Sequence, residues 1–167
     1  MTMAKALTAG YMPMGAVITR PEIADALPIF RHVHTFSGHA GAAAAANAVI
    51  AIKERDGLIQ RAKENGAYFL DALKRELEPL PIVGQVRGIG MWLAVDFTAD
   101  KQTKAVLPDE VVRAIVHRMR SHGVIASPIG TAFELAPPLI ATRAELDTAV
   151  EVAARAIREI AQERGYA

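Results

Sequence analysis

Along residues 58–78 the apolar side chains Leu58, Ala62, Phe69, Leu70, Leu73 and Leu77 recur at spacings of three and four. That is the stripe of an amphipathic helix with one buried face, and Pro79 and Pro81 stop it. Just ahead, residues 41–54 are nearly all alanine, with Val49, Ile50 and Ile52. This composition favours helix strongly, and Asp56-Gly57 ends it. From residue 82 the period shortens. Residues 82–86 and 90–97 predict two strands, with Arg87-Gly88-Ile89-Gly90 as the turn between them. A polar loop over 98–103 leads to a helix over 108–122, with Pro108 in its first turn. Val112, Ile115, Val116 and Met119 form its inner stripe, and Gly123 closes it. Residues 124–126 and 132–135 predict short strands flanking Pro128-Ile129-Gly130. The last helix opens on Thr142-Arg143-Ala144-Glu145, the spacing of a capping box; it turns Leu146, Val150, Ala153, Ile157 and Ile160 inward and ends at Gly165.

Residues 1–36 have a different texture. Gly10, Pro13, Gly15, Pro21 and Pro28 break short apolar pieces apart. Within them, residues 14–19 predict a short buried strand and 21–27 a helical turn or two. Residues 82–167 thus predict a small α+β domain, and 1–36 part of a larger one, with no internal repeat.

Composition narrows the function classes. The 167 residues carry 19 Lys+Arg and 18 Asp+Glu, a net charge of +1 that excludes a strongly basic nucleic-acid binder. There is no cysteine, hence no disulfide, thiolate metal site or cysteine nucleophile, which fits a reducing, cytoplasmic setting. No apolar run approaches the roughly 20 residues of a membrane helix, and the N-terminal stretch does not have the charge and apolar pattern of a signal peptide.

Three groups could carry chemistry. Lys5 lies among Met3, Ala4, Ala6 and Leu7. Such neighbours could desolvate an amine and lower its pKa, as a Schiff-base lysine requires; an exposed solubilising charge is the plainer reading. His32 and His34 would share one face of an extended segment, but no carboxylate or cysteine stands nearby to complete a metal shell, and no metal is assigned. Thr35, Ser37 and Gly38 precede a helix start, whose free N–H groups suit a phosphate; N-capping by Ser37 is the plainer reading. Arg87-Gly88-Ile89-Gly90 has too few glycines for a dinucleotide or phosphate loop. His117 and His122 are expected on the surface.

Taken together, these segments resemble the class III (ω-type) aminotransferases, pyridoxal-phosphate enzymes of fold type I. Ala4-Lys5-Ala6-Leu7-Thr8-Ala9-Gly10-Tyr11-Met12-Pro13-Met14-Gly15 resembles the family's lysine segment, and His34-Thr35-Phe36-Ser37-Gly38-His39-Ala40 its threonine segment. Val86-Arg87-Gly88-Ile89-Gly90-Met91 and Leu135-Ala136-Pro137-Pro138-Leu139 resemble supporting motifs of its small domain. The resemblance implies an α/β fold, with residues 1–80 ending the large cofactor-binding domain and 81–167 forming the small C-terminal domain. It implies Lys5 as the catalytic lysine, joined to pyridoxal 5'-phosphate as a Schiff base. Thr35 would contact the cofactor phosphate of a neighbouring subunit in a homodimer or homotetramer. The implied reaction transfers an amino group from an amine or amino acid to a keto acid or aldehyde, without nucleic acid or membrane partners. Family members run to more than twice this length, so the chain resembles their C-terminal portion and is expected to be incomplete as a catalyst alone. A non-catalytic remnant and a related mutase or decarboxylase are the alternative readings. One departure stands out: many ω-transaminases place a mobile arginine where this chain has Ser127, and no arginine lies between Arg120 and Arg143.

Overall fold

The computed structural model describes residues 1–26, 28–29 and 32–166. They form two compact units, Met1–Gly57 and Leu58–Ala167.

The first unit begins with a two-stranded antiparallel ribbon, β1 (Thr2–Met3) against β2 (Ala16–Val17), with Thr2 opposite Val17 and Met3 opposite Ala16. The Ile18 amide donates to the Met1 carbonyl at 2.8 Å and extends the ribbon. Residues 4–15 loop out between the strands and contain one turn of 3-10 helix, Lys5–Leu7. The helical turn predicted over 21–27 is the four-residue α1 (Pro21–Ala24), with Pro21 in its first turn; its expected end at Leu27 lies outside the described residues. The alanine-rich segment is α2 (Ala40–Arg55), which buries only Ala42 and Ala46. Ser37 does not cap it. The cap is His39, whose Nδ1 accepts the Ala42 amide at 3.1 Å. Ser37 is two residues too early, in a turn closed by its own amide donating to the His34 carbonyl.

In the second unit, α3 (Leu58–Leu77), α4 (Asp109–Ser121) and α5 (Arg143–Glu163) accompany a four-stranded antiparallel sheet of order β3-β4-β6-β5. The strands are β3 (Val83–Ile89), β4 (Trp92–Phe97), β5 (Ser127–Ile129) and β6 (Ala132–Leu135). Two-residue alternation puts Leu93, Val95 and Phe97 of β4 into the core. There they meet Phe69, Leu73 and Leu77 of α3, Ile115 and Met119 of α4, and Leu146 and Ile157 of α5, all in one buried cluster. The Phe97 and Phe133 rings, on neighbouring strands β4 and β6, sit 5.5 Å apart and tilted. Burial of each such side chain contributes about 1.5–3 kcal/mol.

Three expectations for this unit are corrected. Arg87, Gly88 and Ile89 are strand, not turn: Ile89 pairs with Trp92, leaving Gly90-Met91 as a two-residue hairpin turn with Gly90 at φ +55°. Residues 124–126 are not a strand. The strand is Ser127-Pro128-Ile129, in register with Glu134, Phe133 and Ala132. Proline is tolerated because β5 is an edge strand, where a missing N–H costs no ladder bond. Pro108 caps α4 from outside rather than opening it. Thr142 and Glu145 form the reciprocal capping box at the start of α5, as their spacing predicts.

Candidate active site

The loop between β1 and β2 holds Lys5 in an uncommon conformation. Ala4 is extended, and Lys5 then turns into the left-handed region at φ +50°. That region is disfavoured for a residue with a Cβ, by about 1–2 kcal/mol. Ala9 at φ +49° and Gly10 at φ +81° repeat the conformation. Non-glycine residues persist there only where their surroundings hold them. The Leu7 amide donates to the Ala4 carbonyl at 3.1 Å, and the Thr8 amide to the Lys5 carbonyl at 3.3 Å. The Thr8 side chain is buried and its hydroxyl donates to the Met12 carbonyl at 2.5 Å. Lys53 of α2 reaches back 47 residues to donate to the Ala6 carbonyl at 2.9 Å.

Lys5 itself is exposed, so the desolvation expected from its apolar neighbours is not provided by Met1–Gly57. Its amine has no hydrogen bond or ion pair among the described residues. Thr35 is likewise exposed, in the turn between His34 and Ser37, with an uncommitted hydroxyl. His32 and His34 approach each other, Nε2 to Nε2, at 2.8 Å, with their rings edge-on. Among the described residues no group of three or more histidine and acidic side chains could hold a metal ion.

A cleft of about 650 Å³ joins the end of the lysine loop to the threonine segment, lined by Met14, Gly15, His34, Phe36, Ser37 and His39 among others. Lys5 and Thr35 do not line it. The two residues singled out by the sequence thus fall in one unit without sharing a hydrogen bond or cavity among the described residues. Two contributors escaped the sequence pattern. Histidine is not a usual cap, so His39 carried no signal; Lys53 sits on a helix with nothing to mark its distant target.

At the two positions singled out by the sequence, this unit offers an uncommitted primary amine and an uncommitted hydroxyl. The sequence profile of the class-III aminotransferase family matches residues 1–157. The chain belongs to the class-III aminotransferases. Among its relatives, an aminotransferase of Sinorhizobium fredii is 38% identical over 97% of this chain. A putrescine–pyruvate aminotransferase of Pseudomonas aeruginosa is 34% identical over 96% of it. An amine transaminase from an uncultivated Pseudomonas species, solved in its pyridoxal-phosphate-bound form, superposes with a TM-score of 0.90 at 36% identity, over 95% of this chain. This class-III chain spans 37%, 36% and 38% of the lengths of those three proteins. Its mixed α/β architecture is that of part of a fold type I transaminase. Among the described residues, no helix is long and apolar enough to cross a membrane.

Proposed function

We propose that this chain serves pyridoxal-phosphate-dependent transfer of an amino group from an amine or amino acid to a keto acid or aldehyde, with Lys5 as the catalytic lysine. The observation that carries this reading is the Lys5 turn: a lysine in a strained left-handed conformation, pinned by its neighbours, with its amine uncommitted. Strain of this kind concentrates at functional sites. When the cofactor is bound, Lys5 Nζ would hold its aldehyde carbon, with water leaving, and once free the same atom would take and return the proton at the substrate's amine-bearing carbon. The cofactor supplies the electron sink that makes that carbon acidic. Thr35 would hold the phosphate of a neighbouring subunit's cofactor through its hydroxyl, which requires a homodimer or a homotetramer.

Borohydride reduction in the presence of pyridoxal phosphate, followed by peptide mapping, tests the assignment. Lys5 should carry the adduct, and Lys5→Ala should abolish it. An adduct spread evenly over the exposed lysines, or concentrated on another one, overturns it.

A further inference from the structure

The peptide unit between Ala6 and Leu7 is held at both of its polar atoms. Its N–H, from Leu7, donates to the Ala4 carbonyl at 3.1 Å. Its C=O, from Ala6, accepts from Lys53 Nζ at 2.9 Å, and no backbone amide of the turn competes for that oxygen. The next peptide unit back, whose C=O belongs to Lys5, is closed by the Thr8 amide at 3.3 Å. The backbone on the C-terminal side of Lys5 is therefore clamped, and one of its clamps comes from a different element. Lys53 is half-buried on α2, and its ammonium reaches the loop. A basic residue in the last turn of α2 also complements the helix dipole. That need asks only for a charge near the helix end. It does not ask for contact with Ala6.

We propose that Lys53 is a positioning residue for Lys5: by holding the Ala6 carbonyl it keeps the left-handed turn formed, and with it the direction in which Lys5 presents its amine. This rests on Lys5 being the lysine that carries the cofactor. Lys53 does not touch the reacting atoms; it acts through the backbone. The bond it makes is charge-assisted and partly solvated, so its loss should open the turn by about three- to tenfold in equilibrium constant.

The test compares the wild-type chain with Lys53→Met, which keeps the aliphatic stem, and Lys53→Arg, which keeps a cationic donor. Amide hydrogen exchange at Leu7 and Thr8 reads the turn without any cofactor. Borohydride trapping of pyridoxal phosphate, resolved peptide by peptide, reads the Lys5 amine. Lys53→Met should speed exchange at Leu7 and Thr8 by about three- to tenfold and slow adduct formation at Lys5 by a similar factor, with exchange in the middle of α2 unchanged; Lys53→Arg should restore both. If exchange and labelling at Lys5 are the same in Lys53→Met and wild type, Lys53 does not position the turn. If Lys53→Met also loosens the whole of α2, or Lys53→Arg fails to restore the turn, its role is general helix stability and the proposal fails. If the wild-type adduct forms elsewhere than on Lys5, the catalytic assignment fails, and the exchange data then report on a turn with no catalytic purpose.

Discussion

Gly66 shows how one side chain's absence can set a fold. It lies in α3, and a Cβ built on it would stand 2.1 Å from the carbonyl oxygen and 2.4 Å from the carbonyl carbon of Gly90. Both are backbone atoms of the β3–β4 turn, so neither can swing aside. Alanine at an ordinary helix position would add about 1 kcal/mol of helix propensity. Here overpacking against the hairpin outweighs it, and Gly66→Ala should destabilise the protein by about 2 kcal/mol net. A urea titration followed by circular dichroism checks this; an unchanged or raised midpoint would mean that α3 and the hairpin turn are not in contact. In the sequence, Gly66 reads only as a weak point in a helical stripe. Sequence motifs named Lys5 and Thr35 because their neighbours form long, distinctive strings. They could not show that Lys5 is left-handed, since backbone dihedrals at a non-glycine residue leave no compositional mark, nor that His39 in place of Ser37 caps α2.

Among elements, long periodic helices were legible and short strands were not. The stripe from Leu58 to Leu77 and the Thr142–Glu145 box place α3 and the start of α5 closely. The sequence puts the β3–β4 turn too early because glycines at 88 and 90 both invite one; pairing of Ile89 with Trp92 is decided by the partner strand, not by local chemistry. Pro128 argued for a loop until the sheet order put it on an edge. What joins α4 to α5 beyond apolar packing was not legible either, because it is a set of charges far apart in sequence. Arg118 donates to Glu159 at 2.7 Å and to Glu163 at 2.9 Å; Arg155 and His122 also reach Glu159, so His122 is half-buried rather than free on the surface. The hydrogen bonds from Arg118, Arg155 and His122 pull the Glu159 carboxyl down from 4.5 to about 2. A depressed acid stabilises the folded state above its unfolded pKa and loses that contribution as pH falls through the folded one. Wild type should therefore lose thermal stability as pH drops from about 4.5 towards 2, and Glu159→Gln should lack this part of the loss. Thermal midpoints across that range check it: the gap between wild type and variant should be widest near neutrality and close towards pH 2. A gap that does not narrow would show that the network is not what stabilises the α4–α5 contact.

At the scale of the whole chain, burial is divided very unevenly. Among the described residues, Met1–Gly57 fully buries Thr8, Ala42 and Ala46. Alanine carries a single methyl, so removing it from water contributes less than about 1 kcal/mol. Tyr11, Val17, Ile18, Ile23, Val33 and Phe36 of the same unit are exposed. Leu58–Ala167 instead encloses one cluster with Phe69, Phe133, Leu73, Ile115 and Ile157 completely removed from solvent. This contrast follows from the alternation and stripes read in the sequence for residues 58–160. It also follows from the alanine run of α2, which offers propensity without area to bury. Helix propensity alone sustains a 16-residue helix only marginally in water, so local opening should be cheap in the first unit and close to global unfolding in the second. Native-state hydrogen exchange on the full chain measures both. Amides of β4, β6 and the middle of α5 should exchange slowest, at rates set by global stability. Those of α2 should exchange faster by about two powers of ten or more. Equal protection across α2 and α5 would show that a single cooperative event exposes both units, and that the few buried alanines of α2 are held by more than their own surface.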